Sequence, residues 1–369
     1  MTRSLPKPPL YEALADATSV LIAGAGGGFD VYAGLPLAVS LWDSGRPAHL
    51  ANLSFTELEL VDRDAWLEPN VATVTAETAG PDDYFPERTL AEWLAGQELP
   101  ATVYAFARTG VQPLREAYRA LVAHLGVDAV VLVDGGTDIL MRGDEAGLGT
   151  PTEDMTSLAA VAGLDIAVKL VVCLGFGIDA YHGVNHVQVL ENIAALDRAG
   201  AYLGAFSIPS HGRDAALYRD AVAYAEANTP GRPSLVNAQI AAALTGTVGD
   251  VPLQRPARGT PLFGNPLMAM YFTFDLAGLA AQSLYLDHIR GTDDMLQVSH
   301  LIDRYRDEIT PTAPGLISPL TNVSRSIGAC PHRHDRTCTL ARARAGLALH
   351  ARLPSVATAS EPECATGGR

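Results

Sequence analysis

Short runs of consecutive apolar residues alternate along this chain with stretches whose apolar residues recur every three to four positions. Ser19–Ala25 (SVLIAGA) reads as a buried strand that ends in glycines, and Val31–Trp42 as the helix after it. Ala101–Ala107 predicts a strand, and Val111–Leu125 an amphipathic helix. Ala129–Val133 is another apolar run, followed by a helix over Thr152–Ala162 with Glu153 and Asp154 in its first turn, where the helix dipole favours acids. A strand over Ala167–Leu174, a helix over Val187–Arg198, a strand over Ala201–Ile208 and a helix over Arg213–Asn228 continue the alternation. Met268–Phe274 and Asp275–Leu286 give a last strand and helix.

Strands that are apolar throughout must be covered on both faces. The expected fold is therefore α/β: a mainly parallel, Rossmann-like sheet with helices on both faces. Residues 44–100 are less regular, with an edge strand over His49–Phe55 or a lid, and 246–266 read as a Gly- and Pro-rich loop. The expected division is one α/β domain over 1–325 and an Arg- and Ala-rich tail over 326–369, partly disordered. No internal repeat of fixed period is present.

Composition narrows the chemistry. Among 369 residues, 41 acids against 26 bases give a formal net charge of −15, the wrong sign for a general nucleic-acid binder or for anionic membranes. Lys7 and Lys169 are the only lysines, so a P-loop, Schiff-base or proton-abstracting lysine would have to be Lys169, because Lys7 sits in a Pro-rich leader. Mean hydropathy is slightly positive at +0.13, yet no uncharged apolar stretch is long enough to span a bilayer. The N-terminus lacks the apolar core of a signal peptide, and four cysteines are too few and too uneven for a disulfide framework. The expected location is the cytoplasm. The expected partner is a small molecule, neither nucleic acid nor membrane, and a homo-oligomer is left open.

Two loops carry the candidate chemistry. After the first strand come Gly24, Ala25, Gly26, Gly27, Gly28, Phe29 and Asp30: four glycines in five positions let a backbone turn sharply and approach a ligand. The full dinucleotide fingerprint fails at Phe29. Asp30 would repel a bare phosphate and suits a ribose hydroxyl, an amine or a metal, or else a simple helix cap. The stretch from Gly26 to Ala33-Gly34-Leu35-Pro36 resembles the first NAD-binding segment of sirtuins, without the Asp-Phe-Arg that follows there.

The second loop runs from Asp134-Gly135-Gly136-Thr137-Asp138 through Asp144-Glu145 to Gly149-Thr150-Pro151-Thr152-Glu153-Asp154. It places six carboxylates in 21 residues, beginning at a strand's carboxyl end. Such a loop can bind a divalent metal, hold ribose hydroxyls or recognise an amine, and crowded acids raise one another's pKa; the alternative is a solvated acidic loop. Together the two loops resemble the domain of unknown function 1152 family of archaeal and bacterial proteins, over most of residues 15–310. That resemblance implies a Rossmann-like or sirtuin-like nucleotide-binding fold and supplies no reaction.

His182 and His186 stand four apart after Asp179, a spacing that puts both on one face of a helix, as metal ligands or as a general base beside the crevice. The alternative is that they cap the next helix. His211 follows another strand. Cys330, His332, His334 and Cys338 offer four soft ligands at a spacing unlike standard zinc modules. Cys173, inside an apolar strand, reads as core.

The candidate catalytic residues are therefore Asp138, Asp144, Glu145, His182 and His186. The candidate ligand-binding residues are Gly24, Gly26, Gly27, Gly28, Asp30, Asp134, Gly135, Gly136, Thr137 and Thr150. The expected function is an enzyme on a nucleotide or similar polar anionic ligand, of transferase or hydrolase type, including attack at an N-glycosidic bond. A metal-dependent hydrolase or lyase on an amino-acid-like substrate and a non-catalytic nucleotide sensor are the alternatives. Cofactor candidates are NAD or another nucleotide, and a divalent metal.

Overall fold

A computed structural model of the chain describes residues 7–250 and 263–315. A short helix α1 (Pro9–Ala13) precedes β1 (Val20–Gly24). Then follow α2 (Asp30–Ala33), α3 (Leu35–Asp43), β2 (Ala48–Leu53), β3 (Trp66–Glu68), β4 (Val71–Val74), α4 (Pro86–Gly96) and β5 (Val103–Phe106). The middle of the chain adds α5 (Val111–Leu125), β6 (Ala129–Asp134), α6 (Pro151–Ala162), β7 (Val168–Cys173), α7 (His186–Arg198), β8 (Tyr202–Ser207), α8 (Arg213–Asn228) and α9 (Leu235–Leu244). Last come β9 (Gly249–Asp250) and β10 (Phe263–Gly264), which pair as a small ribbon, then β11 (Met270–Asp275), α10 (Leu276–Gln282), α11 (Leu286–Ile289) and α12 (Met295–Glu308).

Nine strands form one sheet in the order β3-β4-β5-β2-β1-β6-β7-β11-β8. The five central strands, β5, β2, β1, β6 and β7, are parallel. β4 joins β5 antiparallel, and β11 runs antiparallel between β7 and β8. All five residues of β1 are buried, and they alternate between two apolar clusters. Leu21 and Ala23 pack with Leu114, Leu121, Leu158 and Val161 of α5 and α6. Val20 and Ile22 pack with Leu37, Leu41, Tyr218 and Val222 of α3 and α8. Helices therefore cover both faces, which is why these strands carry no alternating polar positions.

Two expectations are corrected. The strand predicted at the edge over His49–Phe55 is β2, and it lies inside the sheet between β1 and β5. The β3–β4 hairpin extends the sheet beyond β5 and takes the edge. The single helix expected over Val31–Trp42 breaks at Gly34: a Cβ there would stand 2.6 Å from Ile22 Cγ2, so only glycine lets the chain pack so close to β1. No helix among the described residues is long and apolar enough to cross a membrane. The predicted tail, with Cys330, His332, His334 and Cys338, lies outside the described residues.

Candidate functional site

The chain builds outward from β1 through β2 to β5, then returns to lay β6 on the other flank of β1. The connections leaving β1 and β6 therefore diverge and open a crevice at their carboxyl ends, the place where open α/β sheets take ligands. Gly24 ends β1 and Asp134 ends β6 at this crevice. Both loops singled out from the sequence begin here.

The glycine loop is held from several sides. Gly27 and Gly28 adopt φ of 89° and 60°, which β-carbon-bearing residues avoid. Asn52 of β2 is fully buried and donates from Nδ2 to Gly28 O (2.7 Å) and to Glu87 Oε1 (2.7 Å). Asn237 of α9 donates to Phe29 O (3.1 Å), and Ser157 of α6 donates to Ala25 O (2.7 Å). Phe55, 40% exposed, lies over Gly27, and the Tyr84 hydroxyl reaches Gly28. The Arg108 guanidinium sits 4.9 Å from the Phe55 ring centre, and that of Arg232 5.3 Å from Tyr84. Arginine–aromatic pairs thus flank the loop.

Behind the loop, Asp30, Asp134 and Asp154 each bring a carboxylate oxygen within 4.8 Å of the others. Asp30 opens α2 and accepts from Gly26 N (2.7 Å), so this loop amide is already engaged. Asp134 accepts from Ile139 N at 3.3 Å. Asp154 projects from the first turn of α6, and its Oδ1 is buried without a partner. Asp138 accepts from both Thr150 N (2.8 Å) and Thr150 Oγ1 (3.0 Å). Asp179, on a short 3-10 helix over Ile178–His182, accepts from Thr137 N (2.6 Å) and Thr137 Oγ1 (3.2 Å).

Burial dominates the electrostatics. Burial, then repulsion from Asp138 and neighbouring acids, holds Asp134 and Asp154 well above the usual carboxylate range. Asp179 is raised in the same way. Burial also raises Asp138, against the Thr150 bonds that favour its charge, and raises Asp30 to about 7. Five acids packed this way cannot all carry charge without a counter-ion or bound donors.

The structure thus brings together Gly24, Gly26, Gly27, Gly28, Asp30, Asp134, Gly135, Gly136, Thr137, Asp138 and Thr150 at one crevice. Close approach accounts for Gly135 and Gly136, whose added Cβ atoms would stand 2.8 Å from Asp30 Oδ1 and 2.6 Å from Asp179 Oδ1. Glu145 is buried elsewhere in the loop, accepting from Arg142 N, Gly143 N and Asn192 Nδ2. Asp144 is half-exposed, beside Arg142 and Thr312. His182 and His186 do not share a helix face. His182 ends the 3-10 helix, Gly183 turns left-handed, and His186 starts α7 with Asn185 as its cap. Both are exposed, and His182 acts electrostatically on Asp138.

Asp179, Phe55, Tyr84, Arg108 and Arg232 were absent from the candidates, and Asp154, counted among the six carboxylates of the acidic loop, was not among the residues singled out. Asp154 carried a readable signal: it shares a helical stripe with Ser157, Leu158 and Val161, all buried. An acid on an apolar stripe is out of place unless something partners it. Glu153, one position earlier, instead reaches out to Arg108 at 2.5 Å.

No curated protein and no solved structure matches this chain. One family model, described as "Protein of unknown function (DUF1152)", matches residues 21–306, which include all but the first residue of β1 and nearly all of α12. With the glycine loop, the acidic loop and all of the central sheet but Val20 inside that match, the chain belongs to the DUF1152 family.

Proposed function

We propose that this protein is a small-molecule enzyme whose crevice between β1 and β6 binds a nucleotide or a similar polar ligand for hydrolysis or group transfer. The observation that carries the reading is the pairing of two surfaces. Carboxylates of Asp30, Asp134 and Asp154 converge on one side with Asp138 acting electrostatically on them, and the Phe55–Arg108 and Tyr84–Arg232 pairs stand over Gly27 and Gly28 on the other. Carboxylates accept from sugar hydroxyls, an exposed ring such as Phe55 stacks on a base, and arginines take phosphate oxygens. The Rossmann-like reading of the fold rests on the same feature, a strand-order reversal at β1/β6 with a glycine loop beside it.

At an N-glycosidic bond these groups have defined tasks. Asp30 and Asp138 would hold the ribose while the bond from C1′ to the base nitrogen breaks and its electron pair leaves with the base. Facing carboxylates stabilise the positive charge that develops on the sugar. Water, or an acceptor hydroxyl, then bonds to C1′ and gives up its proton to a carboxylate. That proton passes through the exposed His182 to solvent where the base leaves neutral, as nicotinamide does, and goes to the base nitrogen where it leaves as an anion.

Incubating the full chain with NAD, nucleosides and nucleotides, with chromatographic detection of released base, tests this reading. Base release that disappears in Asp138→Asn while the ligand still binds supports it. Failure of every nucleotide to bind overturns it.

A further inference from the structure

We propose that Asp30, Asp134 and Asp154 form a binding site for a divalent cation of the Mg2+ or Mn2+ kind, open on one side to the crevice. The three carboxylates come from three different elements, the start of α2, the end of β6 and the first turn of α6, and converge within 4.8 Å. Such all-oxygen sets suit hard divalent cations. Around Mg2+ adjacent oxygens stand about 3 Å apart and opposite ones about 4.2 Å, so carboxylates within 4.8 Å of one another can close on one cation by drawing together.

A second observation separates this site from an ordinary acidic cluster. Asp154 is 1% exposed, and its Oδ1 has no hydrogen-bond partner. That oxygen faces Gly26, 2.7 Å from where a Cβ would stand, on the side where Asp30 Oδ2 also lies at 2.7 Å. Buried acceptors are almost always satisfied, and an orphan aimed into a carboxylate cluster marks a missing positive partner. Neighbouring side chains do not supply it. Arg108 pairs with Glu153, His182 acts on Asp138, and the Lys169 ammonium donates to Leu164 O at the far end of α6.

Three carboxylates leave positions open for water and ligand oxygens. The site thus deepens the function proposed above, and rests on that reading for the ligand that completes it: the phosphate or diol oxygens of the nucleotide. The cation also resolves how a ligand bearing phosphate can approach so acidic a crevice.

The test uses the full chain, stripped with chelator, titrated with MgCl2, MnCl2 and CaCl2 and followed by calorimetry and thermal melting without nucleotide. One saturable site per chain is expected, with a raised melting temperature. Asp154→Asn is expected to weaken binding at least about tenfold, the loss that changing even a partner behind a metal ligand produces. The metal-free variant should melt no lower than metal-free wild type, because it removes a repelling charge, which shows that it folds. Asp62→Asn, at an exposed position in the turn before β3, should bind as wild type does. No saturable binding at millimolar cation, or equal binding by Asp154→Asn, overturns the site. Cation binding without any nucleotide binding keeps the site and overturns the ligand class. Nucleotide binding that chelation leaves unchanged overturns the coupling of the cation to the ligand.

Discussion

The carboxylate of Asp154 lies against the Cα of Gly26, its Oδ1 2.7 Å from the position a Cβ would take. One residue belongs to the loop after β1, the other to the helix after the acidic loop, so this contact joins the two motifs. Gly26→Ala would push its methyl into both Asp154 and Asp30, and neither carboxylate can retreat without leaving the crevice. The variant is expected to lose about 1–3 kcal/mol of stability, as overpacked sites do. Ligand and cation binding should fall together. Chemical denaturation and a binding titration on the same sample check this, and wild-type values for both would show that the contact yields freely.

Glu145 acts as a staple. It accepts from Arg142 N at 2.9 Å, Gly143 N at 2.9 Å and Asn192 Nδ2 at 2.5 Å, tying the acidic loop to α7. Glu145→Ala is expected to cost about 2–4 kcal/mol, since buried donors lose a charged acceptor. Glu145→Gln keeps the shape and half of the acceptor capacity, and should cost less. Urea denaturation of both variants gives the order. Equal loss in the two would mean that volume, and not the accepted hydrogen bonds, sets the cost.

The central sheet was legible because β1 and β6 are buried on both faces and so read as apolar runs, and in β7 only Lys169 interrupts the run. Helices α5 and α8 were legible to their last residues from apolar periodicity alone. The β3–β4 hairpin was not, because three- and four-residue strands such as Trp66–Glu68 and Val71–Val74 are too short to show a period. In the crevice, Gly26, Asp30, Asp134 and Asp138 could be read because glycine-rich and acidic loops are compositionally unusual. Asp154 was masked by a second sufficient explanation, the helix dipole. Phe55, Tyr84 and Arg232 lie far apart in sequence and meet the loop only through the fold, so no local pattern announces them.

Glu87 should leave a signature in the pH dependence of stability. It is fully buried beneath the glycine loop, and burial raises its pKa above the ordinary value despite hydrogen bonds from Asn52 and Thr56. A raised carboxyl binds its proton more tightly in the folded state than in the unfolded one. Its stabilising contribution is therefore complete below the unfolded pKa of about 4.3 and is lost as pH rises through the folded pKa. Glu87→Gln removes that titration. Relative to wild type, the variant is expected to be more stable at pH 8 than at pH 5, with melting curves in one buffer series as the measurement. A difference that does not change with pH would mean that Glu87 titrates normally.

Lys169 is the one lysine of the central sheet, and its place in the fold removes it from the chemistry. It is the second residue of β7, whose sixth residue, Cys173, stands beside Asp134 at the crevice. Four residues of strand put it roughly 13 Å from that edge, at about 3.3 Å per residue. Its Nζ donates to Leu164 O at 2.7 Å and to Ala162 O at 3.4 Å, meeting the carbonyls at the carboxyl end of α6, where the helix dipole favours a cation. Lys169→Met keeps the aliphatic stem and removes the charge. The variant is expected to lose about 1–2 kcal/mol of stability and to bind cation and nucleotide as wild type does. A carbonyl compound followed by borohydride should leave no adduct on this residue, because the amine is held by the Leu164 and Ala162 carbonyls. Loss of ligand binding in a folded Lys169→Met protein, or a trapped adduct at Lys169, would place the lysine at the crevice after all. Wild-type binding without an adduct would leave the electrostatics of the site to its carboxylates, its arginines and the cation proposed there.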